Sequence, residues 1–75
     1  MHSIVLKYFI EVASAGSVRK ASERLFVAAS AVNRQIHKLE DELGVELFAR
    51  TTRGLTLTEA GRTLQPEAEA ALAAT

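Results

Sequence analysis

Ser30, Asn33, Arg34, His37 and Lys38 follow one another at alternating steps of three residues and one, a spacing that gathers side chains on one side of an α-helix. They offer a hydroxyl, an amide that both donates and accepts, a guanidinium and an ammonium group. Such a set grips phosphates and base edges without making or breaking covalent bonds. Bond-making chemistry lacks its parts. With no Cys, a disulfide framework, a thiolate zinc site and a cysteine nucleophile are all excluded. His2 and His37 are too few and too far apart for a helical metal pair, so binding is expected to need neither metal nor cofactor. His37 reads as a polar surface residue, and His2 as a terminal residue without a role. Glu40, Asp41 and Glu42 point in different directions around a helix, which makes them solvated surface and not an acid/base dyad. An enzyme fragment would need such a dyad, or a nucleophile beside a base, set in a cleft.

The net charge of zero conceals a bipolar chain. Between positions 19 and 38, five bases (Arg19, Lys20, Arg24, Arg34, Lys38) face the single acid Glu23, a net of +4. Arg50, Arg53 and Arg62 against Glu59 leave +2. Acids collect in Glu40, Asp41, Glu42 and Glu46 and again in Glu67 and Glu69, while Lys7 and Glu11 cancel. One face can therefore attract a polyanion that the other repels; ordinary solvated helix surface is the plainer reading.

These side chains need a scaffold, and 75 residues allow one domain at most. The composition, 48% hydrophobic with one Pro and four Gly, is globular and helix-leaning. Ser3 is placed to cap a first helix in which Leu6, Phe9, Ile10 and Ala13 form the apolar stripe, and Gly16 ends it. Ser17 caps a short second helix with Val18, Ala21, Ser22 and Leu25 inward. Phe26-Val27-Ala28 connects it to a third helix over about 29–43, with Val32, Ile36, Leu39 and Leu43 inward and Gly44 as its C-cap. A strand-forming segment over 45–50, a turn at Thr51-Thr52-Arg53-Gly54 and an alternating strand over 55–58 follow. Thr58 then caps a fourth helix whose first-turn Glu59 suits the positive end of the dipole. That helix contains Pro66, which removes an internal hydrogen bond, and has no stop signal. The expectation is a longer natural chain cut here. The opening MHSIVLKYFIEVASA has small residues, Ala13-Ser14-Ala15, like a cleavage site, but it lacks a basic start and Lys7 and Glu11 interrupt it. No run approaches the roughly 20 apolar residues of a membrane span, so the chain reads as soluble and cytoplasmic, with no membrane partner.

A short helix, a three-residue connection and a longer helix, preceded by a core-completing helix and followed by a hairpin wing, is the winged helix-turn-helix arrangement. The polar face of the third helix is concentrated in its N-terminal half, the part of a recognition helix that enters the major groove. The chain resembles the N-terminal DNA-binding domain of LysR-type bacterial transcriptional regulators. The resemblance spans almost all of it and is carried by SVRKASERL, NRQIHKLEDELGVELFAR and RGLTLTEAG.

The resemblance implies a mainly α winged helix-turn-helix domain over 1–58, three helices plus a two-stranded wing. The start of a linker and dimerisation helix follows over 59–75. It further implies double-stranded DNA as partner, a homodimer or higher homo-oligomer through the linker helix, and a small-molecule effector acting only through a missing C-terminal domain on the order of 200 residues. Ser30, Asn33 and Ala29 take the base-reading positions. Members usually carry Ser-Gln-Pro where this chain has Ala28, Ala29 and Ser30, so Ala28 cannot cap with a side-chain oxygen and Ala29 cannot hydrogen-bond a base. Asn33 stands where Ser or Thr is commoner. Phosphate and backbone contacts fall to Arg34, Lys38, Arg50, Arg53, Ser17 and Arg19, with Arg53 reaching the minor groove or a phosphate and Arg50 either touching phosphate or pairing with Glu46. Leu64, Ala68, Ala71 and Leu72 become a dimer seam; an amphipathic helix docked on its own core is the plainer reading. Two alternatives stand beside this one. A molybdate-sensing regulator has a similar N-terminal domain. A winged helix used as a protein-interaction module would want an apolar or acidic outer face on the third helix, which Ser30, Asn33, Arg34 and Lys38 do not provide.

Overall fold

In the computed structural model, which describes residues 3–74, the first helix α1 (Ser3–Ala15) closes where the Gly16 N–H bonds the Val12 carbonyl and Gly16 takes a φ of 76°. His2 lies outside the described residues. Ser3 is already helical and is not the cap expected of it. The inward face is Val5, Leu6, Phe9 and Val12, with Ile10 and Ala13 only half-buried. Apolar residues surround most of this helix, so periodicity alone does not choose the face. Packing against three other helices does.

Helix α2 (Val18–Leu25) starts as expected: the Ser17 hydroxyl oxygen accepts the Lys20 N–H at 2.9 Å. Ala21 and Ser22 are buried, and the Ser22 hydroxyl is satisfied by the Arg19 carbonyl at 2.6 Å. Phe26 caps the C-terminus in the left-handed conformation, and helix α3 (Ala29–Leu43) begins after Ala28, which makes no side-chain cap bond. Val32, Ile36 and Leu39 enter the core. Leu43, expected to share that stripe, is 42% exposed. Gly44 reverses the chain at φ 72°, and the Gly44 and Val45 N–H groups both bond back to the Glu40 carbonyl.

The hairpin is shorter than the sequence suggests. Strands β1 (Phe48–Thr51) and β2 (Gly54–Leu57) pair antiparallel, Phe48 with Leu57 and Thr51 with Gly54, leaving Thr52-Arg53 as a two-residue turn. Residues 45–47 stay out of the ladder because their polar groups bond elsewhere. The Leu47 N–H goes to the Glu40 carboxylate at 2.7 Å, the Leu47 carbonyl accepts from the Thr58 N–H, and the Glu46 carbonyl from the Thr58 hydroxyl. The same Thr58 hydroxyl oxygen accepts the Gly61 N–H and so caps α4 (Glu59–Ala73), which runs through Pro66 without ending. A Cβ at Gly61 would collide with the Leu47 carbonyl and the Leu57 side chain. The helix thus closes on the chain entering the hairpin.

Phe9, Val12, Val32, Leu39 and Leu47 are the largest wholly buried side chains. Phe48 sets its ring 5.5 Å from that of Phe9, which roots the hairpin in the helical core. Ala68 of α4 belongs to the same core, with Leu64 and Leu72 packed on its edge.

Candidate nucleic-acid interface

The outer face of α3 carries the residues singled out above. Ala29, Ser30, Asn33, Arg34, His37 and Lys38 are all exposed, while Val32, Ile36 and Leu39 hold the opposite side in the core. Ser30, Asn33, Arg34 and Lys38 spend no side-chain hydrogen bond among the described residues, which leaves their donors and acceptors open to solvent.

Three elements converge beside that face. Val18 at the start of α2, Asn33, Ile36, His37 and Glu40 of α3, and Phe48, Arg50 and Leu55 of the hairpin line a cleft of about 390 Å³. The Leu55 N–H donates to the Gly16 carbonyl at 2.9 Å, tying the hairpin to the α1–α2 turn just before Ser17. Gly54 is at φ 111°, and a Cβ there would lie 2.6 Å from the Gly16 oxygen. Only glycine permits this approach. Asn33 and Arg50 therefore share one cleft; Arg34 and Lys38 lie outside it. Arg53 is exposed at the hairpin tip, its backbone N–H held by the Thr51 hydroxyl oxygen at 3.2 Å, while that hydroxyl donates to the Gly54 carbonyl. Two hydrogen bonds hold the turn, and the guanidinium has no partner among the described residues.

The basic stretch is less free than its charge count. Arg19 pairs with Glu23 at 3.2 Å, and Arg24 turns back to α1, 3.3 Å from the Ser14 hydroxyl and 3.8 Å from Glu11. Glu11 is thus set against Arg24, not Lys7. Lys20, Arg34 and Lys38 have no ion-pair partner among the described residues. The Arg19 pair is exposed and worth little, so a phosphate can displace Glu23. Ser17 spends its oxygen on the α2 cap and retains its hydroxyl proton. Arg50 makes no ion pair with Glu46.

Glu40 carries a role the sequence does not show. Its Oε2 accepts the Leu47 N–H at 2.7 Å and more distantly the Phe48 N–H at 3.4 Å, and its Oε1 lies 3.5 Å from His37 Nδ1. It is not the solvated surface acid expected from the run Glu40-Asp41-Glu42, since its side chain is only 13% exposed. Its partners are backbone groups seven and eight residues away, which no side-chain pattern records.

Comparison with known proteins agrees with this architecture. Residues 5–62 match the family model described as bacterial regulatory helix-turn-helix protein, lysR family. The chain is 48% identical over 63 residues to the HTH-type transcriptional regulator ClcR of Pseudomonas putida, covering 84% of this chain and 21% of that protein. It is 43% identical over 67 residues to the nitrogen assimilation regulatory protein nac of Escherichia coli, covering 89% and 22%. It spans about a fifth of the length of these curated relatives. Among solved structures it is similar to the CbnR DNA-binding domain in complex with DNA, at 43% identity and a TM-score of 0.90, covering 96% of this chain and 83% of that one. It also resembles the BenM DNA-binding domain on the benA site 1 DNA, at 34% identity and 0.92, covering 97% and 85%. These relatives do not favour the molybdate-sensing alternative. With the family model matched over most of its length, the chain belongs to the LysR family of bacterial regulatory helix-turn-helix proteins.

Proposed function

We propose that this chain is the sequence-specific, double-stranded-DNA-binding part of a bacterial transcriptional regulator, acting in the cytoplasm. The start of α3 enters the major groove, and the Thr52-Arg53 tip rests on the backbone or in the minor groove. The observation that carries this reading is the outer face of α3: Ser30, Asn33, Arg34 and Lys38 stand exposed with no side-chain partner among the described residues. The similarity to two domains solved on DNA supports it. The relatives are regulators by name, and the module is not an enzyme. Ser30 and Asn33 read bases with Ala29 beside them. Arg34, Lys38, Arg50, Arg53, Ser17 and Arg19 hold phosphates. Binding proceeds as a homodimer through α4, within a larger protein whose remaining domain would sense an effector.

Salt dependence tests the reading. If each protomer neutralises about three phosphates, the slope of log affinity against log salt is about −2.7 per protomer, despite a zero net charge. Binding that is indifferent to salt would remove the reading.

A further inference from the structure

Phe26 is the residue that folding explains least. It is 93% exposed, the most exposed large apolar side chain among the described residues, and it sits in the left-handed region at φ 58° and ψ 40°. A residue with a Cβ is strained there, and a glycine would make the same turn without strain. Its backbone is held by two bonds to the Ser22 carbonyl, from the Phe26 and Val27 N–H groups. The ring is thus displayed on a fixed turn, three residues ahead of the first residue of α3. Ala28 and Ala29 follow, both exposed. The segment that leads into α3 therefore exposes a phenyl ring and two methyl groups before the first polar side chain of the helix, Ser30.

Side chains at positions 26, 28 and 29 have no donor or acceptor and cannot read the hydrogen-bonding code of the major groove. One base feature there is apolar: the 5-methyl group of thymine. From Phe26 to Ala29 the chain spans at most about 11 Å, or roughly three base-pair steps. We infer that Phe26 and Ala29 read thymine methyl groups within about three adjacent base pairs of each half-site, making recognition by this chain partly apolar. The inference rests on the DNA-binding reading above.

Replacing dT by dU tests it, because the change removes the methyl and leaves every hydrogen-bonding group in place. The 75-residue protein selects a duplex from a random library, and each dT of that duplex is then replaced singly by dU. Burying one methyl predicts about a fourfold loss of affinity at the contacted positions. Phe26→Gly and Ala29→Gly, each checked for folding by thermal unfolding, make affinities for the dT and dU duplexes equal at their own positions. A role confined to the turn would weaken both duplexes alike and preserve their ratio, which overturns the inference. Unchanged affinity after every dU replacement also overturns it while leaving DNA binding intact. So does a Phe26→Gly protein that changes oligomeric state and keeps the dT/dU ratio, since the ring would then face protein. Failure to select any duplex overturns both readings.

Discussion

Asn33 and Arg34 are neighbours in the chain but project about 100° apart around α3, and under the proposed DNA-binding reading that angle separates two tasks. Asn33 lines the cleft between α3 and the hairpin, where its amide matches the N6/N7 edge of adenine. Arg34 lies outside that cleft, where a guanidinium suits a phosphate. Asn33→Ala is expected to flatten preference at one or two base pairs, by about 1–3 kcal/mol, with nonspecific affinity nearly intact. Arg34→Ala is expected to weaken all sequences alike and to reduce the salt slope by about one unit. Titrating both variants against a panel of single-base operator changes checks the division. Glu40 gives a third residue-scale expectation. Glu40→Ala strands the Leu47 N–H and should cost about 1–3 kcal/mol of stability, whereas Glu40→Gln keeps an acceptor and should cost less. Chemical denaturation of the two variants, compared at equal m-value, measures this.

At the scale of elements, the α3 N-terminus is the unfinished end. Ala28 supplies its carbonyl to the Ala31 and Val32 N–H groups but no side-chain oxygen, and the Ser30 hydroxyl makes no bond to the first turn. Ala28→Ser should raise stability by about 1 kcal/mol, read as a higher midpoint of thermal unfolding; an unchanged midpoint would show that solvent already satisfies this end. The contrast with α2 and α4 is physical. Ser17 and Thr58 cap helices whose starts are fixed by neighbouring backbone, Gly16 to Leu55 and Thr58 to Leu47. The start of α3 is tied as well, through the Val27 N–H to the Ser22 carbonyl, and lacks only the side-chain oxygen.

For the whole molecule, assembly turns on what α4 leaves uncovered. Ala68 is 1% exposed inside the monomer, and Leu64 and Leu72 are partly packed on the same core. Much of the apolar stripe read as a dimer seam is thus already used by the chain itself. Ala71 is exposed, and a seam at this point must be built on it and on the uncovered edges of the two leucines. We expect weak association, visible as a monomer–dimer equilibrium in sedimentation over a concentration series. Ala71→Glu should abolish it without lowering the unfolding midpoint. Leu72→Glu would confound the two effects, because that side chain also packs on the core. A protein that stays monomeric at high concentration would assign the stripe wholly to the fold.

The sequence by itself determined the order of the elements, the bounds of α2 and α3, the end of α1 and the start of α4. Ser17, Gly16, Gly44 and Thr58 act through bonds to groups within four residues, and local physics is legible in a local pattern. It likewise set the polar face of α3, since helical periodicity fixes which side chains oppose Val32, Ile36 and Leu39. What the tertiary structure decided are the features built from distant partners. Glu40 became an anchor for residues 47 and 48, Arg24 folded back onto α1, and Leu43 was left outside the core. Strand β1 lost its first three expected residues because Leu47 and Glu46 found partners in Glu40 and Thr58. Each outcome depends on where a second segment lies in space. A backbone N–H or carbonyl is the same at every position of the chain, so no side-chain pattern records which one a distant residue will meet.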